Sequence, residues 1–183
     1  MTSLSPRSAS TLWIVLLTAA STLTTWALAC ATPFPALAAL AAVHMRRRDG
    51  ITLMLIAWAA SQIVGFGLLG YPHDPVTMGW GIALGVAATG SAWTAYAALD
   101  QVRRIPVAGR LALAYGVGFA AFKAIVLLFA FGLGGVATAS APGLLANQFV
   151  RNGAILIGLW ALYGGLTAIG VPAASRRQRA AAA

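Results

Sequence analysis

Long apolar runs alternate with short polar breaks along the whole chain. Five runs are long enough, or nearly so, to cross a membrane: residues 12–30, 51–69, 78–99, 111–134 and 152–170. A crossing helix needs about 20 mostly apolar residues, because the hydrocarbon layer is about 30 Å thick and a helix rises about 1.5 Å per residue. A sixth run, residues 34–45, is shorter and spans roughly half to two-thirds of that layer. It forms either a short crossing helix at a thin spot or a re-entrant one.

This pattern predicts an all-α membrane bundle of six transmembrane helices with a short second helix, in one domain over residues 1–183 with a disordered tail from about residue 174. Composition agrees, because 60% of the residues are hydrophobic and only 8% are charged. So few ionic groups do not solvate a globular surface, which indicates an integral protein of the lipid bilayer.

The net charge of +9 comes from arginine clusters beside the apolar runs. They are Arg46 to Arg48, Arg103 and Arg104 with Arg110, and Arg176 and Arg177 with Arg179. Such clusters mark cytoplasmic helix ends under the positive-inside rule, so we expect a bacterial inner-membrane protein with both termini cytoplasmic. No aromatic residues interleave with the arginines, so nucleic-acid binding is not expected.

The segment before Cys30 has a second interpretation. Ala27-Leu-Ala-Cys30 after an apolar run resembles a signal-peptide or lipoprotein cleavage site. However, the run from Leu12 to Ala29 is longer than a usual signal core, and its basic lead is Arg7 alone. We therefore predict a retained first transmembrane helix.

Six crossings place three connections on the outward face: residues 30–35, 71–77 and 136–151. These connections and their borders collect most of the reactive side chains outside the arginine clusters. The candidate ligand-binding residues there are Cys30, Tyr71, His73, Asp74, Trp80, Asn147, Gln148, Arg151 and Asn152. Carboxamides offer donors and acceptors together, which suits a ligand edged with amides. Tyr71 and Trp80 are either interfacial anchors or walls on which a ligand stacks.

Lys123 is the only lysine and lies in the middle of the run 111–134. An ionisable group at that depth is costly and usually faces the bundle interior or a cavity, which makes it a candidate ligand-binding residue. The alternative is a lysine that snorkels or bonds a carbonyl. No acidic residue lies within another apolar run, so an anionic or carbonyl-rich ligand is the expected counterpart.

Cys30 and His73 are the candidate metal-contacting residues. Thiolate and imidazole bind softer transition metals, but two ligands are too few for a closed zinc site. They suit axial contact with a metal already held by a macrocycle.

His44, beside the first arginine cluster, is interpreted as a cytoplasmic interfacial residue. The chain has no Gly-x-Ser-x-Gly, no His-Glu-x-x-His and no paired carboxylates, so catalysis is not expected beyond thiol-mediated modification of a bound ligand, and no intrinsic cofactor is predicted.

Small residues recur at spacing four in two of the predicted helices, where they permit close helix packing. The stripes are Gly79, Ala83, Ala87, Ser91 and Ala95 in the fourth helix, and Ala112, Gly116, Ala120 and Ala124 in the fifth.

Together, six helices in 183 residues, a short second helix, cytoplasmic ends and a polar site from the first, third and fifth loops resemble the S component of energy-coupling-factor vitamin transporters. The resemblance implies capture of a small-molecule vitamin. The solitary cobalamin-binding type is nearest, because it is implied to place a cysteine on the cobalt, and cobalamin is therefore the favoured ligand.

The first helix lacks the Ala-x-x-x-Ala often found where S components dock on a scaffold subunit, and offers Thr18/Thr22 and Ser21/Thr25 instead. The chain is thus expected either to act alone or to use a scaffold subunit differently. Two other functions remain open: a structural or assembly subunit of a larger membrane complex, and a divalent-metal permease using His73 and Asp74.

Overall fold

The computed structural model describes residues 6–28, 33–102 and 105–174, and this part of the chain contains helices and no strand. The helices are α1 (Pro6–Leu28), α2 (Phe34–His44), α3 (Arg47–Gln62), α4 (Pro75–Gln101), α5 (Val107–Leu133), α6 (Val136–Ser140) and α7 (Pro142–Ala168). α3 continues directly into a π-helical stretch, Ile63–Leu68. The predicted all-α bundle with a short second helix is confirmed.

Four helices within the described residues are long and apolar enough to cross a membrane. They are α3 with its π-helical extension, α4, α5 and α7. α1 and α2 contribute shorter apolar stretches, Ser8–Ala20 and Phe34–His44. The chain is therefore a membrane protein with several helices capable of crossing.

The short helix α2 is the centre of the bundle. All ten residues from Phe34 to Val43 are buried, and the helix packs against α3, α4, α5 and α7. A helix that is apolar on every side is stable only where other elements surround it. Its 11 residues rise about 16 Å, too little to cross the hydrocarbon layer, so the longer helices around it complete the crossing.

Tyr96 of α4 ties down the carboxyl end of α2. Its hydroxyl lies within hydrogen-bond distance of three carbonyls, at 2.9 Å from Ala41, 3.2 Å from Met45 and 3.1 Å from Arg46. Carbonyls at a helix end have no partner within the helix, so a buried donor there removes a large penalty. Gly50 of α3 makes room for this ring, because a Cβ at that position would clash with the Tyr96 hydroxyl.

The two small-residue stripes have different outcomes. In α4 the prediction is correct for four of the five positions, since Ala83, Ala87, Ser91 and Ala95 are fully buried and Gly79 is half-buried. In α5 it is wrong, because Ala112, Ala120 and Ala124 are exposed and Gly116 is only half-buried. The buried face of α5 instead carries Leu111, Ala114, Tyr115, Gly118 and Phe122. Larger rings on this face fill the space around the short α2, with Phe34 and Phe122 6.1 Å apart between ring centroids.

The α3–α4 crossing depends on one close approach and yields a testable prediction. The Trp58 indole N–H donates to the Gly81 carbonyl at 2.8 Å, and a Cβ at Gly85 would lie 2.8 Å from the same indole. We expect Gly85→Leu to lower the free energy of unfolding by about 1–3 kcal/mol, because the rigid ring has to move. Denaturant unfolding in detergent micelles measures this.

Gly116→Leu on α5 is the matched control, because no atom lies within 4 Å of the Cβ it would add. Both substitutions improve helix propensity by a similar amount, so the difference between them isolates the packing effect. Equal stabilities for the two variants would contradict the close contact between the Trp58 ring and α4.

The arginine-rich end of the bundle brings the start of α3 to the end of α4. Arg47 lies over the Trp93 ring, 4.5 Å from its centroid, and 3.9 Å from the Asp100 carboxylate. Arg110, in the first turn of α5, belongs to the same end. Arg103, Arg104, Arg176, Arg177 and Arg179 lie outside the described residues.

The segment after α7 packs back onto this end. The Trp13 indole donates to the Pro172 carbonyl at 2.8 Å, and Ala174 is buried. The ring of His44 packs 4.3 Å from that of Tyr163, so this histidine lies against α7 as well as near the arginines. The disordered tail is predicted from about residue 174, where Ala174 is buried, and its remaining residues, 175–183, lie outside the described residues.

Candidate ligand-binding cleft

The chain reverses direction between α5 and α7 through a pair of glycines. Gly134 and Gly135 have φ angles of 89° and 88°, which L side chains rarely adopt. The short α6 follows, and Pro142 then begins α7 at a position where a missing N–H costs nothing. This turn brings the first half of α7 towards the second half of α5.

Two adjoining clefts lie where these elements meet, with volumes of about 480 Å³ and 260 Å³. They share Lys123 and Val126 of α5 and Leu144 and Gln148 of α7. The larger cleft also takes in Trp80, the Gly134–Gly135 turn and Thr138, and the smaller takes in Pro35, Phe122, Asn147, Arg151 and Asn152. The larger volume falls within the range of about 300–1,000 Å³ that small-molecule sites occupy.

Four of the candidate residues lie on a helix that begins earlier than expected. The apolar run predicts a start near residue 152, but α7 begins at Pro142. Asn147, Gln148, Arg151 and Asn152 therefore belong to the helix rather than to a loop. Their spacing puts them on one face, because residues three and four apart in a helix are neighbours.

Lys123 lies at the junction of the two clefts. Its ammonium donates to the Gln148 carboxamide oxygen, with 2.7 Å between the Nζ and Oε1 atoms. A hydrogen bond from a charged group contributes about 1.5–3 kcal/mol, which is comparable with the roughly 2.5–3.5 kcal/mol cost of a lysine at the centre of a membrane helix. The amide partner offsets the cost of the charge but does not neutralise it.

Asn152 is the most buried polar residue of the site, with 6% of its surface exposed. Its Nδ2 atom donates to the Gln148 backbone carbonyl at 3.0 Å. Its Oδ1 atom is buried and accepts no hydrogen bond from the described residues. Since buried polar atoms are usually paired, this oxygen is an exception, in a residue that lines the smaller cleft.

The charged residues that line the two clefts are all cations. Lys123 and Arg151 are both cations, and the described residues place no carboxylate in the lining of either cleft. Asn147, Gln148 and Asn152 add carboxamides, and Trp80 adds an indole at the start of α4. The arrangement is chemically suited to a ligand that accepts hydrogen bonds and carries negative or strongly polar groups.

Tyr71 and His73 line neither cleft. Both rings pack on Phe66 of the π-helical stretch, with centroid distances of 6.1 Å and 5.4 Å. The Tyr71 ring also covers Gly65, where a Cβ would approach it to 2.8 Å. These contacts hold the turn between α3 and α4 in place.

Asp74 is the N-cap of α4. Its Oδ1 atom accepts from the Val76 and Thr77 amides at 2.9 and 3.0 Å, and its Oδ2 atom accepts from the Thr77 hydroxyl at 2.7 Å. The Thr77 hydroxyl and amide hold the pKa of Asp74 below its ordinary value. A metal at this carboxylate has to displace the cap, which also fixes the helix that carries Trp80.

Cys30 falls in residues 29–32, outside the described residues, so its predicted contact with a metal stays a prediction. The described residues contain no group of three His, Cys, Asp or Glu side chains that could hold a metal ion. Pro35, five positions after Cys30, does line the smaller cleft.

Several lining residues were not anticipated from the sequence. Pro35, Val126 and Leu144 are apolar and carry no chemical signal, while Thr138 lies in a segment predicted as loop. The glycine pair was the one available signal, because adjacent glycines mark a sharp turn.

Neither a protein-family model, nor a characterised protein, nor a solved structure matches the chain. Its function is therefore inferred from the chemistry of the cleft.

Proposed function

We propose that the chain is a multi-pass transport protein of a bacterial inner membrane that captures a vitamin in the cleft around Lys123, with cobalamin as the favoured ligand. The observation that carries the proposal is the convergence of the candidate residues. Trp80, Lys123, Asn147, Gln148, Arg151 and Asn152 all line the two adjoining clefts. These residues come from three helices, which is typical of a site assembled by folding.

The position of the cleft supports capture from outside the cell. Its walls are the start of α4, the second half of α5, α6 and the first half of α7. Arg110 lies at the opposite end of α5, and Arg47 of α3 contacts Asp100 at the opposite end of α4. With arginines in the cytoplasm under the positive-inside rule, both termini are cytoplasmic and the cleft faces outward.

The resemblance to vitamin-capturing S components supplies the ligand class, and the carboxamides suit the amide-edged corrinoid. Cys30 is the proposed cobalt ligand, since it precedes Pro35 by five residues. His73 packs on Phe66 at the turn and is the weaker candidate for that role. The protein acts either alone or with a scaffold subunit.

Purification from cells grown with cobalamin tests the proposal. We expect a protein whose visible spectrum shows bound corrinoid and whose melting temperature rises with added cobalamin. Gln148→Leu is expected to reduce corrinoid occupancy, whereas the same change at the exposed Gln101, at the arginine-rich end, is not. A colourless preparation whose melting temperature ignores cobalamin overturns the corrinoid assignment.

A second candidate, a subunit of a larger membrane complex, is favoured by one observation. The small residues Ala112, Gly116, Ala120 and Ala124 of α5 face away from the bundle core. Such a stripe permits close approach of a partner helix in lipid. This candidate predicts that a partner protein is retained through purification and lost in Ala120→Leu.

A further inference from the structure

We infer that the cleft takes a ligand bearing an anionic group, carboxylate or phosphate, which binds the Lys123 ammonium. This inference deepens the proposed function, on which it rests for the role of the cleft as a capture site. It does not depend on cobalamin being the ligand.

The first step is the number of hydrogen-bond donors that Lys123 has left for a ligand. An ammonium has three donors, and one of them is used by the neutral Gln148 oxygen at 2.7 Å. No other hydrogen-bond partner of this ammonium is found among the described residues. Two donors and the positive charge are therefore left for a ligand in the two clefts, both of which Lys123 lines.

The second step is the neighbouring charge. Arg151 lines the smaller cleft together with Lys123, and no carboxylate of the described chain does so. Arg151 is exposed, so water screens its charge in part, but two cations that line one cavity still repel each other. An anion between them removes the repulsion and supplies the missing acceptors.

Gln148 is the residue that the anion displaces. The carboxamide oxygen now occupies the position of a ligand acceptor, and its side chain reaches both clefts. When an anion binds Lys123, the carboxamide is free to rotate and donate its N–H₂ to the same anion. Without a ligand, the Gln148 oxygen therefore accepts the hydrogen bond that the anion accepts when it is bound.

Matched pairs of small probes test the inference with the full chain in an uncharged detergent. Nicotinate and nicotinamide differ in a carboxylate against an amide of nearly the same shape, and inorganic phosphate serves as a free anion. We expect nicotinate or phosphate to raise the melting temperature in proportion to the logarithm of its concentration, and nicotinamide to have little effect. Lys123→Gln is expected to abolish this selectivity, and Lys123→Arg to retain it.

Gln148→Glu gives a second readout that does not rely on removing the lysine. It places a carboxylate where Oε1 now lies, so we expect a higher melting temperature without added anion and loss of the nicotinate response. Full retention of the nicotinate response in this variant overturns the inference. So does equal stabilisation by nicotinate and nicotinamide, or no response to any anion.

Lipid is the other source of an anion, and nanodiscs distinguish it. Stabilisation of the parent protein, but not of Lys123→Gln, on moving from phosphatidylcholine to phosphatidylglycerol nanodiscs assigns the anion to a lipid headgroup. Failure of cobalamin to bind while nicotinate selectivity persists removes the corrinoid and leaves the anion site. Cobalamin binding without selectivity for nicotinate over nicotinamide overturns the anion site and leaves the corrinoid assignment.

Discussion

Leu37→Ala is expected to lower the free energy of unfolding by about 2–5 kcal/mol, because it opens a cavity at the centre of the bundle. Leu37 is fully buried within α2, which itself is surrounded by α3, α4, α5 and α7. In lipid, helix association depends mainly on close packing, so lost contacts are not compensated by the surrounding solvent. Denaturant unfolding in detergent micelles measures the change.

Leu128→Ala is the control, because it makes the same chemical change at a residue that is 69% exposed on the outer side of α5. We expect its effect to stay within about 0.5 kcal/mol. If both variants lose the same stability, α2 is not the core of the bundle, and the interpretation of the short helix as its organising element is wrong.

The fold class was predictable because unpaired backbone groups and charges cost free energy in lipid. A crossing segment must therefore be apolar and helical along its whole length. Apolar runs and arginine clusters therefore indicated the helices and their ends. The position of α2 at the centre of the bundle was harder to predict from the sequence. A run of 11 alanine-rich residues is compatible with a thin-spot helix, a re-entrant one or a buried core, and only its neighbours decide.

The structure differs from the prediction in α7 and in α5, for a different reason in each helix. Residues 147–152 were assigned to a helix mouth because polar groups are dense there, yet their spacing fits one helix face and Pro142 is a helix-start signal. In α5, small residues occur on two faces, so spacing alone does not show which one packs. Tyr115 and Phe122, the larger residues, mark the buried face.

The candidate site was predictable where a residue costs free energy in lipid. The charge of Lys123 within an apolar run is the only signal for this residue, which lies at the junction of the clefts. The turn at 71–74 is harder to interpret, because capping and ligand binding use the same residue types. Asp74 caps α4, and Tyr71 and His73 pack on Phe66, while their contact with a ligand stays a prediction.

Lys123→Met is expected to have opposite effects on stability and on binding. Removing the charge saves about 2.5–3.5 kcal/mol of membrane cost and loses a hydrogen bond of about 1.5–3 kcal/mol. Because a methionine also fills the space of the lysine stem, we expect a net gain of up to about 2 kcal/mol in the free energy of unfolding, in the direction seen when buried ions are replaced by apolar residues. Affinity for the captured ligand is expected to fall by about tenfold to a hundredfold, since each tenfold corresponds to about 1.4 kcal/mol.

Ala124→Met, one position along α5 and facing outward, is the control for adding a methionine to this helix. We expect it to leave both quantities within error of the parent protein. The two measurements are denaturant unfolding in micelles and the cobalamin or nicotinate dependence of the melting temperature. A Lys123→Met protein that loses as much stability as Leu37→Ala would mean that the lysine bond to Gln148 chiefly fastens α5 to α7. A more stable protein that no longer responds to ligand means that the charge is retained for binding at the expense of stability.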